Sequence, residues 1–103
     1  MKDYFFVNID YSQVKIKFSD IKWIEGVRDY IKIHLKSSAK PILLRSNLKS
    51  MEEQLPPSQF VRIHKSYLAA IESITAVRKN SVFIDDMELP IGETYRDIVE
   101  KLL

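Results

Sequence analysis

The string Phe60-Val61-Arg62-Ile63-His64-Lys65-Ser66-Tyr67 is the most informative group of side chains in this chain. On an extended strand Val61 and Ile63 share one side, while Arg62 and His64 share the other. Lys65, Ser66 and the Tyr67 hydroxyl follow at the strand end. All five polar groups can donate to phosphate oxygens, and Arg and Lys also reach guanine edges. A solvated edge strand with a satisfied histidine explains the same pattern. The residues of this segment leave both readings open.

Three further clusters carry polar side chains at turns. In Glu25-Gly26-Val27-Arg28-Asp29-Tyr30, Gly26 is expected to take a left-handed turn, which puts Arg28 and Asp29 at a loop tip. Arg45-Ser46-Asn47-Leu48-Lys49 opens a helix, where free backbone N–H groups favour an anion and Ser46 is the expected cap. Leu89-Pro90-Ile91-Gly92-Glu93-Thr94-Tyr95-Arg96 runs into a second helix and mixes Arg96 with Glu93. For each, an ordinary capped or solvated loop is the plain alternative.

Catalytic signatures are scarce. His34 and His64 have no carboxylate at ligand spacing. Asp85, Asp86 and Glu88 lack the second acidic cluster that a cation site needs, so they read as a solvated turn. Ser66 near His64 lacks the glycines of a hydrolase elbow. The absence of Cys removes disulfides, thiolate-ligated zinc, iron–sulfur clusters and thiol catalysis. Two Gly leave no room for a phosphate-cradling loop. No enzyme, cofactor or metal is expected.

The elements that must position these clusters follow from periodicity. The chain has 103 residues, 46% of them apolar and 11% aromatic, which suits a single globular domain over residues 1–103. Apolar residues alternate at Val14, Ile16 and Phe18, and again at Ile31, Ile33 and Leu35; Phe5, Val7 and Ile9 repeat this more weakly. Ile21-Lys22-Trp23-Ile24 and Ile42-Leu43-Leu44 are more fully apolar and hence more buried. Asp10–Gln13 and Ser37–Lys40 suit hairpin connections. Later strands are expected at 60–64, 73–77, 81–84 and 87–89, with Asp85-Asp86 as a turn. One helix is expected over Asn47–Leu55, closed by Pro56-Pro57. A second is expected over Tyr95–Leu102, with Thr94 and Asp97 as an approximate capping box. Its Tyr95, Ile98, Val99, Leu102 and Leu103 would form one docking stripe. The fold class is therefore mainly β: small antiparallel sheets with two short helices.

Net charge is only +2, yet residues 1–45 carry net +4 and residues 46–103 net −2. A nearly neutral domain can still present one basic face. No apolar run approaches the ~20 residues of a membrane span, and no signal-peptide core is present. A soluble, cytoplasmic domain is the expectation.

Over nearly its whole length the chain resembles the LytTR DNA-binding domain of bacterial LytR/AlgR-type response regulators. The resemblance rests on Ile21-Lys22-Trp23-Ile24-Glu25, Asp29–Ile33, the helix near Leu48–Leu55, the Phe60–Tyr67 string and Leu89–Tyr95. Phe-x-Arg-x-His-basic-Ser-aromatic is its most specific part. The resemblance implies an elongated stack of small antiparallel sheets that inserts loops, not a recognition helix, into successive major grooves of double-stranded DNA. It implies base contacts near Arg28-Asp29, at Lys65, and near Glu93-Thr94. Backbone contacts are expected from Arg45, Asn47, Lys49, Arg62, His64, Ser66 and Arg96. Where many members carry Arg or Lys, this chain has Glu93, which repels phosphate but can accept from cytosine N4. Paired promoter half-sites, and a receiver domain or sensor partner outside these residues, are further implications. Transcriptional regulation is the function implied. Two rivals remain: a small barrel binding single strands through Tyr4, Tyr11, Tyr30 and Tyr67, and a protein-interaction output module.

Overall fold

The computed structural model describes residues 2–102. Its centre is a five-stranded antiparallel sheet in the order β5-β4-β3-β7-β6. The strands are β3 (Ile21–Val27), β4 (Tyr30–Leu35), β5 (Ile42–Arg45), β6 (Phe60–His64) and β7 (Tyr67–Ala70). A two-stranded ribbon, β1 (Tyr4–Ile9) and β2 (Ser12–Lys17), and helix α1 (Leu48–Gln54) cover one face. A three-stranded sheet, β8 (Ala76–Val77), β9 (Ser81–Ile84) and β10 (Met87–Pro90), covers part of the other face, beside helix α2 (Arg96–Glu100). The principal extents of 42 × 29 × 25 Å make the stack elongated. The central sheet is open, ending at β5 and β6, and does not close into the barrel that single-strand binding would use.

Period-two patterning builds two cores. On β4, Ile31, Ile33 and Leu35 face α1 and the ribbon; on β7, Leu68 and Ala70 do the same while Ala69 faces the small sheet. A register irregularity between Ile21 and Trp23 sends these two residues, which simple alternation would pair, to opposite cores. That is why three of the four residues at 21–24 are large and apolar, with Lys22 the exception: layers cover this part of β3 on both sides. Helix α1 buries Leu48 and Met51, and Leu55 follows at its end. Each such side chain contributes roughly 1.5–3 kcal/mol by leaving water.

Several local expectations are corrected. The helix cap is Asn47, not Ser46: the Asn47 side chain accepts from Ser50 N–H at 2.9 Å. Gly26 is not left-handed; it lies inside β3, where a Cβ would meet the Leu48 side chain at 3.2 Å. The left-handed residue of that turn is Arg28, at φ 56°. The second helix is shorter than expected, because Glu93–Tyr95 forms a 3-10 turn and neither Thr94 nor Asp97 caps it. Its docking stripe reduces to buried Val99 and half-buried Tyr95, while Ile98 and Leu102 are exposed; Leu103 lies outside the described residues. The strand expected over 73–77 shrinks to Ala76–Val77 behind a 3-10 turn at Ile71–Ser73. Phe18 starts another 3-10 turn and does not continue β2. The ribbon turn is two residues, Asp10 and Tyr11, both left-handed. Asp85 is not merely solvated, since it accepts from Lys22 Nζ at 3.1 Å.

Candidate nucleic-acid interface

Antiparallel order sends the polar clusters to one end of the molecule. β3 ends at Val27 and β4 begins at Tyr30; β6 ends at His64 and β7 begins at Tyr67; β5 ends at Arg45. The pairings Tyr30 with Arg45, Glu25 with Tyr67 and His64 with Tyr67 set these ends side by side. Four strand spacings of about 4.8 Å give a row of loops about 19 Å long.

Backbone bonds stitch the row together. Ser46 N–H donates to Asp29 O at 3.2 Å, Gly26 N–H to Ser66 O at 2.9 Å, and Gly92 N–H to Ile63 O at 2.8 Å. At the β5 end Arg28, Asp29, Arg45 and Asn47 line a shallow hollow of about 240 Å³. Arg28, Asp29, Arg45, Asn47 and Lys49 are all exposed. The Asn47 acceptor oxygen is occupied by capping.

The motif turn is held from inside. Arg62 Nε donates to His64 O at 2.7 Å, Nη2 to Lys65 O at 2.7 Å, and Nη1 to Glu52 on α1 at 2.5 Å. A guanidinium has five N–H donors, so three partners leave little of it free. Its side chain is only 18% exposed. Arg62 therefore braces the turn, and the carboxylate it uses is Glu52, not an acid of the β3–β4 turn. His64 Nδ1 accepts from Ser66 N–H at 3.0 Å. That bond requires an unprotonated Nδ1 and places the neutral ring's proton on Nε2. Lys65 remains exposed at the apex, its backbone fixed by Arg62.

The third loop docks on the same strand. A Cβ at Gly92 would fall 3.0 Å from the Tyr95 ring and 3.6 Å from His64 Cα, so any larger residue would push the Tyr95 ring aside. The Tyr95 ring in turn lies 5.8 Å from the Arg62 guanidinium carbon. Glu93 and Thr94 are exposed beside this contact. Arg96 is tied down: its Nη2 donates to Asn80 Oδ1 at 2.6 Å.

The structure thus gathers the β3–β4, β5–α1 and β6–β7 clusters at one end with the Gly92 loop docked beside them, but their side chains have different roles. Among the described residues Arg28, Asp29, Arg45, Lys49, Lys65, Glu93 and Thr94 present free side chains, Arg62, Asn47, His64 and Arg96 are engaged within the protein, and half-buried Ser66 is tied through its backbone to His64 and Gly26. Sequence reasoning missed Glu52, whose place opposite Arg62 only the fold reveals. It also missed the turn Arg78-Lys79-Asn80, although two adjacent cations before an Asn were a signal.

Comparison with known proteins adds to this picture. A family model described as the LytTr DNA-binding domain matches residues 11–103. The sensory transduction protein LytT of Bacillus anthracis is 28% identical over 101 residues, covering 92% of this chain and 40% of that protein. The protein of the same description from Bacillus subtilis is 26% identical over 77 residues, covering 69% of this chain and 32% of its own length. The chain therefore spans well under half the length of these curated relatives. Among solved structures, the LytTr DNA-binding domain of a Bacillus cereus protein described as a methyl-accepting/DNA response regulator superposes with TM-score 0.77 at 18% identity. That match covers 99% of this chain and 97% of the other.

Proposed function

The chain belongs to the LytTR DNA-binding domain family, and on that premise we propose that it is a single output unit that binds double-stranded DNA by sequence. Its role is transcriptional regulation and its action is binding, not catalysis. The observation that carries this reading is the stitched row of loops at one end of the central sheet. Strands hold the loops rigid and the loops supply reach. The row, about 19 Å long by strand spacing, exceeds a major groove roughly 12 Å wide. Its loop tips enter the major groove while side chains beside them meet the flanking phosphates. In this reading Arg28 and Lys65 reach base edges, and Glu93 accepts from a cytosine amine. Arg45 and Lys49 sit on phosphate, and Arg62 acts through the turn that it braces. The longer relatives are described as sensory transduction proteins, which supports a receiver domain or sensor partner upstream of this binding step. No helix of the described residues is long and apolar enough to cross a membrane.

Selection from random duplexes tests the proposal. Enrichment of a repeated, paired motif is the expected result. Duplex DNA should also bind more tightly than duplex RNA, whose major groove is too narrow, or than single strands of the same sequence. Tighter binding to single strands would overturn the reading.

A further inference from the structure

The turn between β8 and β9 carries Arg78, Lys79 and Asn80, all exposed. It belongs to none of the motifs above. Ile91 N–H donates to Asn80 O at 2.8 Å, and the next residue, Gly92, is bonded to Ile63 at the end of β6. The Asn80 side chain also holds Arg96. The turn therefore stands beside the Glu93 loop and prolongs the row of loops past the edge of the central sheet.

Its charge is unbalanced. Arg78, Lys79 and Arg96 share a hollow of about 230 Å³ with a single carboxylate, Glu100. Among the described residues neither Arg78 nor Lys79 has a carboxylate within ion-pair distance. The Arg78 guanidinium carbon lies 5.0 Å from the Phe83 ring centre, which steadies the side chain without neutralising it. The neighbouring loop has the opposite defect. Glu93 is exposed and negative where a phosphate-rich surface would approach. An acid held near DNA gains from cations set close to it.

We propose that the Arg78-Lys79 turn is a phosphate-gripping arm, which holds the DNA backbone beside the groove position that the Glu93 loop enters and supplies the positive charge that this loop lacks. The inference rests on the duplex-binding reading above. Phosphate contacts carry no sequence information, so the arm adds affinity equally to all sequences and leaves discrimination to the loops.

The test uses the full chain with a duplex recovered by selection and a scrambled duplex of equal composition. Dissociation constants are measured against salt for wild type, for Arg78→Gln/Lys79→Gln, and for Lys15→Gln/Lys17→Gln on the ribbon. Two lost phosphate contacts should reduce the log–log salt slope by about 1.8. The selected-to-scrambled ratio should not change, and the ribbon variant should keep the wild-type slope. An unchanged slope in the Arg78/Lys79 variant overturns the proposal. So does a fall in the ratio, or an equal loss of slope in the ribbon variant. If the wild type itself shows no salt-dependent duplex binding, the duplex-binding reading fails and takes the arm with it. That outcome is distinct from an unchanged slope in a protein that binds. Thermal melts should show both variants as stable as wild type, because all four side chains are on the surface.

Discussion

Arg28, at the β3–β4 turn, and Arg62, beside the β6–β7 turn, belong to neighbouring loops of one sheet end, and their surroundings differ at every level. Arg28 is exposed, left-handed at φ 56°, and lines an open hollow. Arg62 is extended, largely covered, and bonded to two carbonyls and a carboxylate. One guanidinium is held out at the cost of backbone strain; the other is consumed to hold a turn in shape. An arginine in a DNA-binding domain is therefore not yet a DNA contact. Its unspent donors decide that.

The largest expected effect separates these two residues by stability. Arg62→Ala removes the partner of two turn carbonyls and of the partly exposed Glu52 carboxylate, and should cost about 2 kcal/mol. For a domain of this size that is a melting-temperature drop on the order of 10 °C or more. DNA affinity should fall with it on every sequence. If thermal unfolding is unmoved while affinity drops, Arg62 is a direct contact and the contrast breaks down.

A second test sharpens the role of the turn that Arg62 holds. Lys65→Ala removes an exposed side chain from a fixed apex, so the melt should be unchanged. Affinity for the best site should drop by roughly 1–3 kcal/mol, and less for other sites. An unchanged ratio between selected and scrambled duplexes would remove Lys65 from base readout.

Smaller still is the effect of relieving the strained arginine. Arg28→Gly supplies a residue indifferent to positive φ, and should raise stability by a few tenths to about 1 kcal/mol while weakening DNA binding. A calorimetric melt beside a binding titration checks both signs. Lowered stability would mean that Arg28 makes contacts in solution that its exposure denies.

The smallest effect is a pH dependence centred on His34. His34 stacks on Trp23, the single tryptophan, with ring centres 4.0 Å apart. Burial lowers its pKa below the usual histidine value of 6.5; Glu25 opposes this, and Lys22 and Lys32 reinforce it. The Glu25 carboxylate stands 3.9 Å from Nε2, beyond hydrogen-bond reach. With a depressed folded pKa, the unfolded chain takes up the proton first as pH falls. Stability is thus fully present above about 6.5 and is lost on acidification down to the folded pKa. Trp23 fluorescence during unfolding at several pH values reads this directly. His34→Phe should keep the stack and lose that slope; an unchanged slope would assign the dependence to other groups.

Much of this molecule was legible in the residues. Alternation at Ile31, Ile33 and Leu35 marked a strand with one buried face, and the chain forms it. The Phe60–Tyr67 string pointed to the family whose model matches residues 11–103. Turns and caps were less legible. Ser46 and Asn47 are both good caps by type, and only the chain's path chose between them. Gly26 looked like the turn residue by its conformational freedom, yet it is spent on the close approach of Leu48, and Arg28 takes the left-handed position instead. The strand Tyr67–Ala70 was not expected from the sequence, because its short apolar run shows no alternation: it is covered on both faces and pairs on both sides, with β3 and with β6. Sequence alone determined the alternating strands, the family and the polar clusters, because these are properties of residue type and local spacing. Tertiary structure alone decided which side chains stay free, because Arg62 and Glu52, ten residues apart in the chain, meet only when α1 packs against the sheet end.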